Sequence, residues 1–160
     1  MHKITFRLAD FNDADIYFRW LNDPITRINS FSSDYVTWEH HVEWFKEKIK
    51  DSNFTFYIFQ NHNFEFIGQV RFEKINSSES IISVSVAEEH RRNGYGEQML
   101  KVACINYFDK NPKTTVNAYI KNDNYSSKMI FKKVGFIFSK FSCNNNINSE
   151  QFILNANRKF

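Results

Sequence analysis

From Ile81 the chain reads IISVSVA and then EEHRRNGYGEQMLK: branched apolar residues alternating with serine, a short polar turn holding two of the chain's four glycines, and the start of a helix. The alternation is that of a β-strand. A strand that runs straight into a helix must cross one face of a sheet before the chain can form another strand, and TTVNAYI follows to receive it. A second passage of the same kind, TTVNAYI into NYSSKMIFKKV, ends at Gly135, placed as a helix C-cap. Elsewhere the strands come in adjacent pairs: FTFYIFQ with FEFIGQVRFEKI across NHN, and FIFSKFS with EQFILNA at the end. With KITFRLA at the start, the pattern predicts an α/β (α+β) fold, a mixed and mostly antiparallel seven-stranded sheet flanked by four helices.

Composition narrows the class. With 160 residues, 42% hydrophobic and 18% aromatic, the chain can bury one core, so residues 1–160 are read as a single domain. Its 21 basic and 18 acidic residues are scattered and leave a net charge of +3, without the basic stripe that nucleic acid would need. Cys104 and Cys143 have neither metal-ligand spacing nor a disulfide framework, which fits free thiols in a reducing compartment and no bound metal. The opening MHKITFRLAD lacks the apolar core of a leader, and no stretch approaches the roughly 18 apolar residues of a membrane span, so the expected location is the cytoplasm.

Helical spacing relates Ala14, Phe18 and Leu21 in DADIYFRWLND, and Asp23-Pro24 is expected to stop that helix. Thr37 is placed to cap the next one, in which Trp38, Val42, Phe45 and Ile49 recur on one face. Along FEFIGQVRFEKI, alternation puts Phe64, Phe66, Val70 and Phe72 on one face and Gln69, Arg71 and Glu73 on the other. Leu100, Ala103, Cys104 and Tyr107 form the stripe of the helix after the glycine turn.

That turn, Arg91-x-x-Gly94-x-Gly96, lies where first-turn amides lack intrahelical partners and the helix dipole is positive. Glycine there admits a ligand to the backbone, and arginine adds charge, so the chemistry favours phosphate; tight-turn geometry alone is the plainer reading. It is neither a Walker loop, lacking Gly-Lys-Ser/Thr, nor a dinucleotide fingerprint, lacking the third glycine. Thirty residues on, Asn124, Ser127, Phe131, Lys133, Gly135 and Phe136 fall in a second pattern. Together the two motifs resemble the GNAT superfamily of acetyl-CoA-dependent N-acetyltransferases, whose loop reads Arg/Gln-x-x-Gly-x-Gly/Ala and whose next helix reads Asn-x-x-Ser-x-x-x-Tyr-x-Lys-x-Gly-Phe. The resemblance implies that Arg91, Arg92, Asn93, Gly94, Tyr95 and Gly96 hold the pyrophosphate of acetyl-CoA. It also implies that Val84 and Val86 pair with the pantetheine arm like an added strand, with Asn124 and Ser127 beside it.

Acetyl transfer to an amine needs a neutral nitrogen, a polarised thioester carbonyl and a sulfur able to leave. By the resemblance, a backbone amide beside Val86 holds the developing oxyanion. Glu73, through water, and His41 are the candidate bases, each with a plainer reading as a surface or packing residue. Phe131 stands where many relatives carry the tyrosine that protonates the sulfur, so either the sulfur leaves as thiolate, directly or through water, or Tyr125 from the same helix start is the candidate acid. The N-terminal half, with Trp20-Leu-Asn-Asp-Pro24, His41-x-x-Trp-Phe45 and Ile67-Gly-x-Val-Arg-Phe72, is similar to acetyltransferases of nucleotide-linked amino sugars of the pseudaminic-acid type. That similarity places Asn22, Arg27, His41, Trp44 and Arg71 near sugar, base or diphosphate, although Trp44 also fits a core role. Ribosomal-protein N-terminal and aminoglycoside acetyltransferases share the Asn-Asp-Pro opening and remain alternatives, as does a non-catalytic sensor of coenzyme A. A homodimer is expected only at the level of the family.

Overall fold

The computed structural model describes residues 3–156, so the ends of the expected 1–160 domain lie outside the described residues. The strands are β1 (Thr5–Leu8), β2 (Phe54–Gln60), β3 (Phe66–Lys74), β4 (Glu79–Val86), β5 (Thr115–Lys121), β6 (Ile137–Asn144) and β7 (Ile147–Asn155). The helices are α1 (Ala14–Leu21), α2 (Pro24–Asn29), α3 (Trp38–Lys48), α4 (Tyr95–Lys110) and α5 (Tyr125–Lys133). One seven-stranded sheet runs in the order β1-β2-β3-β4-β5-β7-β6, and only β4 and β5 are parallel. The strand-loop-helix passage of β4 and α4 is what makes that pair parallel.

Each face of the sheet has its own core. Tyr57, Ile67, Val70, Phe72, Val116 and Phe152 meet Met99, Leu100, Ala103 and Cys104 of α4, and Phe72 stacks on Tyr107 at 3.9 Å. On the opposite face Phe56 and Ile58 pack against Tyr17, Trp20 and Phe45 of α1 and α3. Full burial of such side chains contributes about 1.5–3 kcal/mol each.

Four sequence expectations shift by a residue or a turn. The buried face of α1 is Ala14, Tyr17 and Trp20, with Phe18 turned toward Trp38 and His41. In α3 the buried residues are His41 and Phe45, while Trp38 is partly exposed, because α3 rolls its stripe toward α1 rather than straight onto the sheet. Asp23-Pro24 ends α1 as expected but also starts α2: Asp23 accepts from Thr26 N–H at 2.9 Å, and proline takes a first-turn position where no amide is needed. The sheet is therefore flanked by one short helix more than expected.

The fourth shift changes which residues share a face. Phe64 lies in the turn at φ 62° and is exposed. Phe66 pairs with Gln60 and Gly68 with Phe59, which leaves Ile67 as an extra residue, a β-bulge. The bulge moves Ile67 to the α4 side with Val70 and Phe72, while Phe66 packs on the α1 side. Only glycine fits at 68, where φ is +151° and a Cβ would come within 2.3 Å of the Ser85 carbonyl.

Candidate functional site

β4 and β5 pair only from Glu79 to Ile81 and then separate, so residues 82–86 border a gap. At one end the Ser78 carbonyl accepts the Thr115 N–H of the β5 side at 2.8 Å, and at the other the Ala87 N–H donates to Ile67 of β3 at 2.9 Å. Alternation along the strand then sends the backbone groups of Ile82, Val84 and Val86 toward the gap. Unpaired strand amides of this kind can receive another extended chain.

The glycine loop stands at the open end of the gap. Arg92 adopts φ 62° and Gly94 φ 77°, and Gly94 occupies the N-cap of α4 without any side-chain cap on the first turn. Arg92, Asn93 and Gly94 are exposed, and a Cβ built on Gly94 would meet nothing within 4 Å. Left-handed residues beside an uncapped helix start form a concave set of backbone donors, suited to phosphate. Arg92 has no ion pair among the described residues. Gly96 serves packing instead, since its Cβ would sit 3.3 Å from Ile130 of α5 and 3.5 Å from Val86. Tyr95 is buried, with its ring edge-on to His90.

Arg91 turns back to the end of β4 and to the N-terminal segment. Its Nε donates to the Val86 carbonyl at 3.1 Å, and Nη2 forms an ion pair with Asp23. Burial alone would raise the Asp23 carboxyl, but hydrogen bonds from Arg91 and Thr26 outweigh it and hold the pKa below the usual carboxylate value. On the other border of the gap, Asn124 caps α5 by accepting from Ser127 N–H at 3.1 Å, and Ser127 is half-buried. Phe131 is buried edge-on to Phe136 at 4.9 Å, and Tyr125 is 72% exposed beside the Lys128 ammonium.

The N-terminal candidates divide into two groups. Asn22 exchanges two hydrogen bonds with the backbone of Val36, each of 2.9 Å, and Arg27 donates to the Asp34 carbonyl and to Ser30 Oγ. Both side chains are thus used to fold residues 22–36. His41 is buried between α1 and α3, with Nε2 donating to the Ala14 carbonyl at 2.8 Å and Nδ1 left without a partner. Burial, offset only in part by that bond, lowers its pKa below the ordinary imidazole value. Its ring lies against Phe18, Trp38 and Phe45.

Arg71, Trp44 and Glu73 form the second group. The Arg71 guanidinium lies 5.4 Å from the Trp44 ring, and burial lowers its pKa. No carboxylate of the described residues comes within 4 Å of it. It pairs across to Ser83, beside the start of the gap, whereas Glu73 pairs with Ile81, where β4 and β5 are still joined. Alternation already places Gln69 on this face, and sequence reasoning missed Ser83, Ser85, Asn117, Tyr119 and Gln151. Gln69 donates to Ser85 at 3.2 Å, Gln151 donates to Asn117 at 2.7 Å, and both glutamines keep a buried amide oxygen without a partner. Tyr119 pairs with Gln151 on the same face. The available signal was the alternation itself, since Ser83, Ser85, Asn117 and Tyr119 are the polar halves of two otherwise apolar strands.

Among the described residues no group of metal-ligating side chains gathers, and no helix is long and apolar enough to cross a membrane. No curated protein matches the chain at a significant level. Among solved structures, spermidine N-acetyltransferase from Vibrio cholerae in complex with CoA and spermine superposes with a TM-score of 0.86 at 15% identity, covering 94% of each chain. A dodecameric structure of the spermidine N-acetyltransferase from the same organism, in an intermediate state, gives 0.79 at 16% identity over 96% of this chain and 94% of that one. At such identities these likenesses speak to the fold. The family profile for the acetyltransferase (GNAT) domain matches residues 3–137, a span that contains the gap, the glycine loop and the helix capped by Asn124. On that match the chain belongs to the GNAT acetyltransferase family and is an acetyl-CoA-dependent N-acetyltransferase.

Proposed function

We propose that the acceptor is the amino group of a nucleotide-linked amino sugar. The observation that carries this reading is Arg71, a half-buried guanidinium beside the Trp44 ring with no carboxylate within ion-pair distance, Glu73 acting on it only from farther off. A planar fork of donors suits a diphosphate, and Trp44 suits the flat face of a base or sugar. The unpartnered amide oxygens of Gln69 and Gln151 lie on the same face as acceptors for hydroxyl or amine hydrogens.

In this reading the loop amides of residues 92–96 and the Arg92 side chain hold the pyrophosphate, and Val84 and Val86 pair with the pantetheine arm. An amide on the gap edge near Val86 stabilises negative charge on the thioester oxygen as the amine attacks. Glu73 takes the amine proton through water. With Phe131 unable to donate a proton, the sulfur leaves as thiolate or is protonated by water, since a thiol of pKa about 8.5 is a tolerable leaving group near neutrality.

A second reading, a polyamine acceptor, is favoured by a cleft of about 840 Å³ whose lining includes Glu65, Glu88 and Glu89. Spermine bound to the Vibrio cholerae enzyme points the same way. Thiol release from acetyl-CoA, measured with a UDP-linked 4-amino sugar, the free sugar, spermidine, an aminoglycoside and an N-terminal peptide, separates the readings. The first reading expects the UDP-linked sugar to be fastest, and Arg71→Ala to lower its kcat/KM by about 10- to 100-fold, the equivalent of a lost charged hydrogen bond. Faster turnover of spermidine would replace it with the second. Binding of acetyl-CoA without transfer to any amine would mark a sensor.

A further inference from the structure

α2 is six residues long and none of them is buried, so apolar burial does not hold it in place. A helix that short has no stability of its own in water. Among the described residues, three polar ties connect the segment 23–36 to the far parts of the chain: Lys121 Nζ donates to the Ile28 carbonyl at 2.6 Å, Asn145 to the Phe31 carbonyl at 3.5 Å, and Arg91 to Asp23. Only the third is an ion pair, and it is shielded, with 25% of the Arg91 side chain and 10% of the Asp23 side chain exposed. The same guanidinium also holds the Val86 carbonyl at 3.1 Å, on the edge of the gap.

We propose that Arg91 is a positioning residue that couples occupation of the cofactor gap to the order of α2 and the strap that follows it, residues 24–36. The proposal rests on the assignment of the gap to acetyl-CoA. An arm that pairs along β4 must share or compete for the Val86 carbonyl, so its arrival changes the hold of the guanidinium that anchors Asp23. Asp23 is also the N-cap of α2, accepting from both the backbone and the hydroxyl of Thr26. The state of one side chain therefore reaches the start of the helix that carries Arg27 and the strap closed by Asn22. Any such coupling is reciprocal, so whatever orders 24–36 also tightens the cofactor.

Coenzyme A serves as the probe and no acceptor is needed. Calorimetry gives its Kd, and hydrogen exchange of residues 24–36 is followed with and without saturating coenzyme A in wild type, Asp23→Asn and Arg91→Lys. Asparagine caps a helix as well as aspartate does, so Asp23→Asn removes the charge and keeps the cap. Wild type should show exchange in 24–36 slowed at least threefold by coenzyme A. In Asp23→Asn that response should vanish while the Kd, and the exchange of 24–36 without coenzyme A, each stay within about threefold of wild type; simple loss of structure would instead speed that exchange well beyond threefold and overturn the coupling. Arg91→Lys, with one ammonium in place of a two-sided fork, should weaken both. A response that persists in Asp23→Asn, or is missing in wild type that binds coenzyme A, overturns the coupling alone. Wild type that does not bind coenzyme A overturns the cofactor assignment beneath it.

Discussion

On the α4 side of the gap, strand, loop and helix follow one another without interruption, and the residues under them are hydrocarbon and closely packed, with Met99, Leu100, Ala103 and Cys104 fully buried. On the α2 side, the wall is assembled from α1, α2, α3 and parts of β3 and β5, and it is joined by hydrogen bonds such as Asn22 to Val36 and Lys121 to Ile28. The first side gains its shape from local geometry and apolar burial, the second from polar ties between segments distant in sequence. A cofactor common to a whole family needs a fixed cradle. An acceptor that differs between members needs a wall whose side chains can change without unfolding the core.

Gly68 is where the two sides share a backbone contact, so replacing it should do most damage. A Cβ would press on the Ser85 carbonyl, lie 2.8 Å from Met99 Cε and 3.0 Å from the Val86 Cα, at a φ that L residues avoid. Gly68→Ala should destabilise the chain by about 2–4 kcal/mol from overpacking and backbone strain together. At roughly 2–4 °C per kcal/mol for a chain of this size, Tm should fall by about 4–16 °C in a thermal melt. An unchanged Tm would mean that β3 can slip to relieve the bulge.

Gly94→Val tests the cofactor side by itself. The position has open space around it, so no neighbour is struck, and the effect comes from φ 77° and from the bulk placed over the helix start. The KM for acetyl-CoA should rise by about 10- to 100-fold, the loss of charged hydrogen bonds to phosphate, with a smaller change in the KM for the acceptor. An equal rise in both would show that the two sides are less separate than their construction suggests.

The same contrast explains what the sequence disclosed. The β4 alternation, the glycine turn and the Asn124-to-Gly135 helix carry their signals within a dozen residues, and the family profile spans the chain from residue 3 to residue 137. The tie from Arg91 to Asp23, 68 positions away, is a contact that no local pattern encodes. Spacing also misplaced the buried stripes of α1 and α3, because each helix packs on the other as well as on the sheet, which rotates the apolar arc by about one residue. The bulge at Ile67 defeats alternation, since one extra residue exchanges the faces on either side of it.

A finer probe is the missing acid. Phe131 is buried in the core on the α5 side, whereas Tyr125 is largely exposed at the start of the helix. Phe131→Tyr should keep or raise kcat by a few-fold, and Tyr125→Phe should change it by less than about threefold, against the 10²–10⁴-fold that a working general acid contributes. A tenfold or greater loss in Tyr125→Phe, with acetyl-CoA binding intact, would assign that tyrosine the role.

The smallest effect is expected at His41, and it distinguishes the two sides by acid. Its imidazole is buried neutral, with a lowered pKa. As pH falls below the unfolded value of about 6.5, the unfolded chain takes up a proton that the native chain refuses, so stability should decline with falling pH in that window and be level above it. The Asp13 and Asp23 carboxyls, whose pKa values are lowered, lose their contribution only in the more acidic range where carboxylates protonate. His41→Leu removes the titration and the unpartnered Nδ1 at the expense of one hydrogen bond to Ala14. At pH 7.5 its stability should lie within about 1 kcal/mol of wild type, and its urea midpoint should fall less than that of wild type between pH 7.5 and pH 5.5. Turnover should stay within about threefold, because the ring packs between helices; a loss in the 10²–10⁴-fold range of a general base would return His41 to the chemistry.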